Sequence, residues 1–351
     1  SSLTSTAKAP LDLSTPYDIN LGAKLIVRSS LDVNGVDVDI LTDYFQSENY
    51  DVKDVNVSPD GQFLVFAAHG PEGSGSHHSW SIYEFSFVSG NVRRIISDDT
   101  LANSGQDTNP TYALDGTIIF SSDRSAGNPN SPKVNIVEED ADCLKVGPSE
   151  KPSLLHSMTN QGDDILQLTY GANHDTKPTT MKDGRVSFIR WSRSYELVPE
   201  CAEIGAQKST SLSADIGQAF AEDYPSGLTS PEEWSTDAKC AFTQSTPLGP
   251  VISSNHYTVL RISVDGSELE QLYDTVSLSA SDEEFLTLNE LVQGENGKLV
   301  ALLKHEYNQY AGGSLLELQA PGSGAAGAVF ANVAPKSLTS SEVDLYPNQL
   351  S

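Results

Sequence analysis

Short apolar stretches that alternate with polar residues, or run continuously for a few positions, recur along this 351-residue chain. The clearest stretch covers residues 55–66, where two apolar segments flank a Pro-Asp-Gly turn at 59–61. Such a turn is typical of a tight hairpin, because Asp bonds the backbone two residues on and Gly accepts a positive φ. The same unit returns at 110–120 and at 178–188. The pattern therefore predicts a repeated β-hairpin.

The predicted strands group in fours, although loops of very different length intervene within a group. The first group covers 55–57, 63–66, 81–87 and 92–96, and further groups span 110–169, 178–272 and 285–330, with the last strand at 329–330. Four strands joined in chain order by turns are the unit of a propeller blade. We predict an all-β fold, a β-propeller with four or five blades visible and a long loop/helix insertion.

The hydrophobic pattern also sets the expected domain limits. Residues 1–20 are rich in Ser, Thr and Pro and are predicted to form an N-terminal arm, and residues 21–351 are predicted to form the propeller domain. An insertion is predicted at 199–252, and it contains the one helix that the pattern favours, at 211–223. Because loops carry function on such scaffolds, this insertion is the expected partner surface.

A further hairpin is predicted ahead of the first blade. Residues 23–30 and 36–45 read as strands, and Asn34-Gly35 between them favours a type I′ turn, in which both central residues take positive φ. The same stretch holds four oxygen-bearing residues that we predict as a calcium site, namely Asp32, Asn34, Asp37 and Asp39. The spacing is not that of an EF-hand, since Val36 stands at the fifth position of the loop.

Charge narrows the classes of partner. The chain has 21 Lys and Arg against 48 Asp and Glu, a formal net charge of −27. Such a field repels nucleic acid and anionic membranes and favours cations and basic partners. No stretch approaches the roughly 20 apolar residues of a membrane span. The first residue is Ser and no leader is visible, so we expect a processed product.

Cysteine is sparse and forms no metal or haem motif. The chain has Cys143, Cys201 and Cys240, without CxxC or CxxCH spacing. Cys201 and Cys240 flank one loop-like region, which they would bridge in an oxidising compartment and leave open in a reducing one. A bridge between these two would leave Cys143 unpaired.

Several of these residues together resemble the TolB-like propeller repeat. The first group has its Pro-Asp-Gly turn, Phe66, the Ile82-Tyr83 strand, the Gly90 turn and Arg94-Ile95 in the places that the repeat requires. Residues 174–191 also resemble repeats in the propeller region of hydrazine synthase alpha subunits. The resemblance implies six or seven blades, a bacterial protein in the periplasm or outside the cell, and binding to other proteins. The haem chemistry of hydrazine synthase is not implied, because the chain lacks CxxCH.

Two neighbouring pairs are the candidate binding residues. His174 and Asp175 precede the third hairpin, where they would act either as a base with its orienting acid or as a lock on a loop at the propeller mouth. Arg190 and Trp191 would form either a ligand-facing patch with a cation–π contact or part of the core and its rim. The residues alone leave these alternatives open.

The expected function is that of a non-enzymatic, exported propeller that binds a protein partner or acts as a scaffold. No catalytic residue is nominated, because the chain has no G-x-S-x-G nucleophile motif and its 48 acidic residues do not single out a pair. No cofactor is expected apart from calcium. The alternative is a propeller subunit or fragment of a larger redox or hydrolytic enzyme, whose cofactor or catalytic domain lies outside this chain.

Overall fold

The structure is a computed structural model, and it describes twelve stretches of the chain. They are residues 17, 19–30, 32–71, 79–124, 152–171, 173–197, 244–246, 249–274, 286–294, 297–305, 314–318 and 336–337. Within these stretches the strands form five sheets, and every pair of neighbouring strands is antiparallel.

A two-stranded sheet and a single helical turn precede the first blade. They are β1 (Ile26–Arg28), β2 (Asp37–Asp39) and α1 (Thr42–Phe45). Blade 1 follows in chain order as β3 (Asp51–Val57), β4 (Phe63–His69), β5 (Ser81–Ser86) and β6 (Val92–Arg94). A second short helix, α2 (Asp99–Ala102), leads to the next blade.

Blades 2 to 4 repeat the antiparallel order of blade 1. Blade 2 contains β7 (Asp107–Tyr112), β8 (Ile118–Ser122), β9 (Leu154–Met158) and β10 (Leu166–Gln167). Blade 3 contains β11 (His174–Thr180), β12 (Val186–Leu197), β14 (Gly249–Ile262) and β15 (Glu270–Asp274), with β13 (Gln244–Thr246) paired to the start of β14. Blade 4 contains β16 (Leu286–Gln293), β17 (Leu299–His305), β18 (Ser314–Leu318) and β19 (Lys336–Ser337).

The first strands of the four blades lie next to one another and so form the inner ring of a propeller. β3 contacts β7, β7 contacts β11, and β11 contacts β16. Apolar side chains fill the space between neighbouring blades, as where Val65 and Trp80 of blade 1 pack with Phe120 and Met158 of blade 2. The predicted all-β propeller is thus confirmed, with four blades in the described stretches rather than the six or seven that the resemblance implied.

The stretch ahead of blade 1 differs from its prediction in two ways. The strand predicted over 36–45 ends at Asp39, because Asp39 Oδ1 accepts the N–H groups of Leu41 and Thr42 and so starts α1. The predicted hairpin forms, since β1 pairs with β2, but neither Asn34 nor Gly35 adopts positive φ. The loop instead closes through the Ser29 N–H, which donates to Val36 O at 2.9 Å.

The described part of the predicted arm lies against blade 1. Trp80 Nε1 donates to the carbonyl oxygen of Tyr17 at 2.9 Å, and the Asn20 N–H donates to Asp51 Oδ2 at 2.5 Å. The predicted helix at 211–223 and the predicted strand at 329–330 lie outside the described residues. No helix of the described stretches is long and apolar enough to cross a membrane.

Candidate functional site

The inner strands of blades 1, 2 and 3 share one backbone irregularity. Asp54, Asn109 and Lys177 each adopt a positive φ, of 56°, 50° and 53°, and each stands where the inner strand shifts register against its neighbour. Each also lies seven residues before its turn glycine, so the three positions are equivalent in the repeat. Positive φ is uncommon for residues other than glycine, and such strain often marks a functional or constrained position.

These equivalent residues meet at the propeller axis in a charged group that we call the axial cluster. Lys177 Nζ lies 2.9 Å from Asp54 Oδ1 and 2.9 Å from Glu290 Oε1, which extends from β16 of blade 4. The backbone N–H of Asn109 donates to Asp54 Oδ2 at 3.1 Å. One lysine therefore connects the carboxylates of two other blades, and blade 2 joins through its backbone.

The electrostatics of the axial cluster favour the charged forms of Asp54 and Lys177. Burial alone would raise the pKa of Asp54, but the ammonium groups of Lys177 and Lys53 outweigh burial and hold that pKa below its ordinary value. Burial would lower the pKa of Lys177, but Asp54 and Glu290 raise it well above its ordinary value. Lys177 and Asp54 thus stabilise each other's charged form, and together with Glu290 they connect three blades.

A second set of charged residues lies between consecutive blades, and we call these the seam pairs. Asp107 starts β7, its N–H donates to Trp80 O of blade 1 at 2.9 Å, and its carboxylate pairs with Arg124. Asp175 has the same place in β11, where its N–H donates to Ser153 O of blade 2 at 2.7 Å. Both aspartates are fully buried. Each therefore fastens the start of its blade to the preceding one.

The structure brings the four predicted binding residues together as two cross-strand pairs. Asp175 faces Arg190, whose Nε and Nη2 donate to the two carboxylate oxygens at 2.7 and 2.8 Å, and this carboxylate holds the pKa of Arg190 above its ordinary value. His174 faces Trp191 with ring centroids 4.8 Å apart, and Trp191 is buried.

The contacts of His174 do not pair it with Asp175. The Ser153 N–H donates to His174 Nδ1 at 3.2 Å, whereas the Asp175 carboxylate is engaged by Arg190. His174 thus contacts the residue that directly precedes β9 of blade 2, and its role as a base or as a loop lock stays a prediction. Ligand binding by His174, Asp175, Arg190 and Trp191 remains a prediction.

Two carboxylates of the predicted calcium site, those of Asp37 and Asp39, are engaged by protein contacts. Asp37 Oδ1 accepts from Arg28 Nη1 at 2.7 Å. Asp39 accepts from Tyr50 Oη at 2.8 Å as well as from the start of α1. Among the described residues, no three His, Cys, Asp or Glu side chains are placed to hold a metal ion. Calcium at Asp32, Asn34, Asp37 and Asp39 thus stays a sequence prediction.

The three cysteines and most of the predicted insertion belong to the part of the chain that the structure does not describe. Cys143, Cys201 and Cys240 lie outside the described residues, so the bridge between the last two also stays a prediction. Of the insertion at 199–252, the structure describes β13 and the first residues of β14.

Blade 3 continues well past the other strands of its sheet, and we call this part the blade 3 extension. β11 pairs with β12 as far as Trp191, but β12 and β14 stay paired for six more residues, from Ser192 opposite His256 to Leu197 opposite Val251. At about 3.3 Å per residue, this ribbon extends roughly 20 Å beyond the blade. It carries β13 at its far end, where Gln244 pairs with Val251.

Sequence reasoning missed the axial cluster and the seam pair of blade 2. A signal for both was nevertheless present, because blades 2 and 3 begin with Asp-Thr-x-Pro-Thr at 107–111 and 175–179. The Asp of this motif forms the seam pair, and the residue x, Asn109 or Lys177, faces the axis. Glu290 has no comparable signal, since blade 4 lacks the motif.

The sheet topology and the inner ring define a β-propeller. TolB proteins are among the solved structures that the chain resembles, as the repeats predicted: a protein described as TolB from Agrobacterium tumefaciens (14% identity, TM-score 0.36, 73% of this chain and 58% of that one) and TolB from Acinetobacter baumannii (15%, 0.31, 73% and 41%). Acylaminoacyl peptidase from Pyrococcus horikoshii also matches (10%, 0.38, 83% and 32%). The chain thus spans about half the length of the TolB structures. No protein-family model and no curated protein matches it.

Proposed function

We propose that this chain is a non-enzymatic, exported propeller that binds a protein partner through the blade 3 extension. The observation that carries the proposal is the unbroken pairing of β12 with β14 for six residues beyond the sheet. The other described blade strands have two to eight residues, whereas β12 has 12 and β14 has 14. A structure that extends past its own sheet presents a surface, and function on repeated scaffolds generally lies in such additions.

The charged residues of the blades support the same assignment, because they are engaged within the fold. In the axial cluster and the seam pairs, carboxylates and cations bind one another within the fold. The axial cluster joins blades through its ion pairs, and each seam aspartate bonds the preceding blade through its backbone N–H, so these charged groups are engaged within the fold.

Export and a basic partner belong to the proposal as well. The TolB-like repeats support a location outside the cytoplasm, and the net charge of −27 favours association with a basic protein. Fractionation of source cells that express the natural gene tests the location. Recovery of the protein in the cytoplasmic fraction alone would contradict export.

The partner surface is tested with a trimmed variant in which Asn-Gly replaces residues 193–255. This two-residue turn joins Ser192 to His256, which face each other, so the sheet of blade 3 is left in place. Immobilised full chain and trimmed variant are compared for the proteins they retain from source-cell extract. We expect retained proteins to be lost with the trim, and an identical retained set would contradict the proposal.

The enzyme alternative predicts a different property of the native material. A redox subunit would be isolated with a haem or a stoichiometric transition metal, directly or through a tightly bound second chain. A visible spectrum and metal analysis of the purified native protein test this. A Soret band or one equivalent of transition metal would overturn the non-enzymatic assignment.

A further inference from the structure

The direction of the backbone groups in β12 follows from one hydrogen bond and an unbroken register. At the turn between β11 and β12, the Met181 N–H donates to Arg185 O at 2.8 Å, so the backbone of Arg185 faces β11. Successive residues of an antiparallel strand turn their N–H and C=O groups to opposite sides. β12 pairs with β14 from Val186 to Leu197 without a register shift, so this alternation continues to the end of the strand.

The far end of β12 therefore has an edge with backbone groups directed away from β14. The odd-numbered residues Arg193, Tyr195 and Leu197 direct their N–H and C=O groups to the side on which β11 would continue. β11 begins at His174, opposite Trp191, and no strand of the described stretches pairs with β12 beyond that point. Within the described stretches, the part of β12 without a neighbouring strand on this side is six residues long, from Ser192 to Leu197.

This edge lacks three of the features that protect natural edge strands from strand addition. Natural edge strands are protected by shortness, proline, lysine or β-bulges. Residues 192–197 read Ser-Arg-Ser-Tyr-Glu-Leu, without proline or lysine, and β12 has no bulge against β14. The inner strands of blades 1 to 3, in contrast, each have one.

We propose, building on the proposed function, that the β12 edge over Ser192–Leu197 binds an extended, net-basic segment of the partner protein as an added strand. The segment lies in line with β11 and bonds the backbone groups of Arg193, Tyr195 and Leu197. Edges of this kind recognise an extended chain through main-chain hydrogen bonds. The net charge of −27 favours a segment of positive charge and speeds its association.

The test uses linear dodecapeptides selected from a phage-displayed library on the full chain, so the natural partner need not be identified first. Binding of the selected peptides is then measured on Tyr195→Pro and Tyr195→Val. Proline removes the outward N–H of residue 195, and this N–H is not used by β14, so the ribbon is expected to persist. Valine keeps the N–H and removes only the phenol ring, so it separates a backbone contact from a side-chain contact.

We expect the selected peptides to be net basic, to bind Tyr195→Pro at least about tenfold more weakly, and to bind Tyr195→Val within about twofold of wild type. Equal binding to Tyr195→Pro, with its melting curve unchanged, would overturn the proposal. A second measurement is amide exchange of the free protein. Exchange at Arg193, Tyr195 and Leu197 should be much faster than at Ser194 and Glu196, and equal protection would mean that the chain already covers its own edge, which also overturns the proposal.

Two further comparisons keep this inference separate from the proposed function. Replacing residues 197–251 by Asn-Gly joins Glu196 to Ile252 and retains most of the edge, so this short trim should still bind the peptides. If the longer trim loses the natural partner but Tyr195→Pro retains it, strand addition is wrong and the proposed function stands. If the longer trim also retains the partner, the proposed function itself fails.

Discussion

Blades 2 and 3 share an inner strand that begins Asp-Thr-x-Pro-Thr and differ at x, which is Asn109 in one and Lys177 in the other. In both blades the Asp donates its N–H to the preceding blade and pairs its carboxylate with an arginine. At the axis, however, Asn109 contributes a backbone N–H, whereas Lys177 connects two carboxylates. Among the described residues of these two blades, blade 3 has the long extension, whereas β8 and β9 of blade 2 have five residues each.

The comparison of blades 2 and 3 separates the features that recur with the repeat from the features found in blade 3. The seam pair recurs because each blade has to be fastened to the one before it. The axial lysine and the extension occur in blade 3, so they are the features to examine for a role beyond folding. The contacts of the lysine are internal, and this leaves the extension as the candidate surface.

The largest expected loss of stability comes from breaking a seam pair, and comparing the two losses tests whether the two seam pairs are equivalent. Asp107→Ala leaves the buried Arg124 without its carboxylate, and Asp175→Ala does the same to the partly buried Arg190. Each change is expected to lower the free energy of unfolding by about 3–5 kcal/mol, as for other broken buried pairs. Urea denaturation measures this.

Matched double variants serve as the control for the seam pairs. Replacing both members of a pair with apolar residues, as in Asp175→Leu with Arg190→Met, removes the unpaired charge and should restore much of the stability. A loss below about 1 kcal/mol in one single variant would show that the two seams are not equivalent.

The next largest expected change in stability comes from His156 and depends on pH. Its ring stacks on Phe120, the side chain is fully buried, and Nε2 has no hydrogen-bond partner in the part of the chain that the structure describes. Burial, with Arg124 nearby, lowers its pKa to about 4, against an ordinary value near 6.5. As the pH falls from about 6.5 to 4, the unfolded state therefore takes up a proton that the folded state refuses. The free energy of unfolding should fall by about 3 kcal/mol across this window.

Blade 3 supplies the control for His156. Phe120 faces His156 in blade 2, and the equivalent Phe188 faces Leu260 in blade 3. His156→Leu thus places the residue of blade 3 in blade 2, and its unfolding free energy should lack this part of the acid-induced fall. If the unfolding free energies of wild type and His156→Leu differed by the same amount at pH 4 as at pH 7, the acid-induced fall would not arise from His156.

The equivalent axial positions allow one substitution to be compared in two blades. Glycine accepts the positive φ of Asn109 and of Lys177 without strain, so Asn109→Gly should be neutral or slightly stabilising. Lys177→Gly relieves the same strain but leaves Asp54 and Glu290 without their cation, and about 2 kcal/mol should be lost. Thermal and urea denaturation measure both. If Asn109→Gly and Lys177→Gly changed the free energy of unfolding equally, the bridge from Lys177 to Asp54 and Glu290 would not contribute to stability.

The smallest expected effect concerns the extension. Replacing residues 193–255 by Asn-Gly leaves the sheet of blade 3 and both seam pairs in place, so the free energy of unfolding should change by no more than about 1 kcal/mol. A larger loss, measured in the same urea series, would make the extension part of the scaffold.

The blades were predictable because their signals are local. Asp-Gly turns and alternating strands lie within a few residues, and the glycines at 61, 116 and 184 have the positive φ that such turns require. The axial cluster was not predicted, because Lys177 and Asp54 are 123 residues apart and meet only when the blades are assembled. The Asp-Thr-x-Pro-Thr repeat marks Asn109 and Lys177 of the axial cluster, but it does not indicate that their partners are Asp54 and Glu290. The four-residue helix α1 arises from the contacts of one aspartate, which a strand pattern over 36–45 conceals.

The most direct measurement compares partner binding by Lys177→Gly and by the variant trimmed at 193–255 in one assay, at a temperature where both are folded. Lys177→Gly changes the axial cluster and leaves the extension intact. The trimmed variant removes the extension and leaves the axial cluster intact. We predict that Lys177→Gly binds the partner as the full chain does, despite its lower stability, and that the trimmed variant does not bind. The opposite result, binding lost with Lys177→Gly and kept by the trimmed variant, would place the site at the axis and contradict this account.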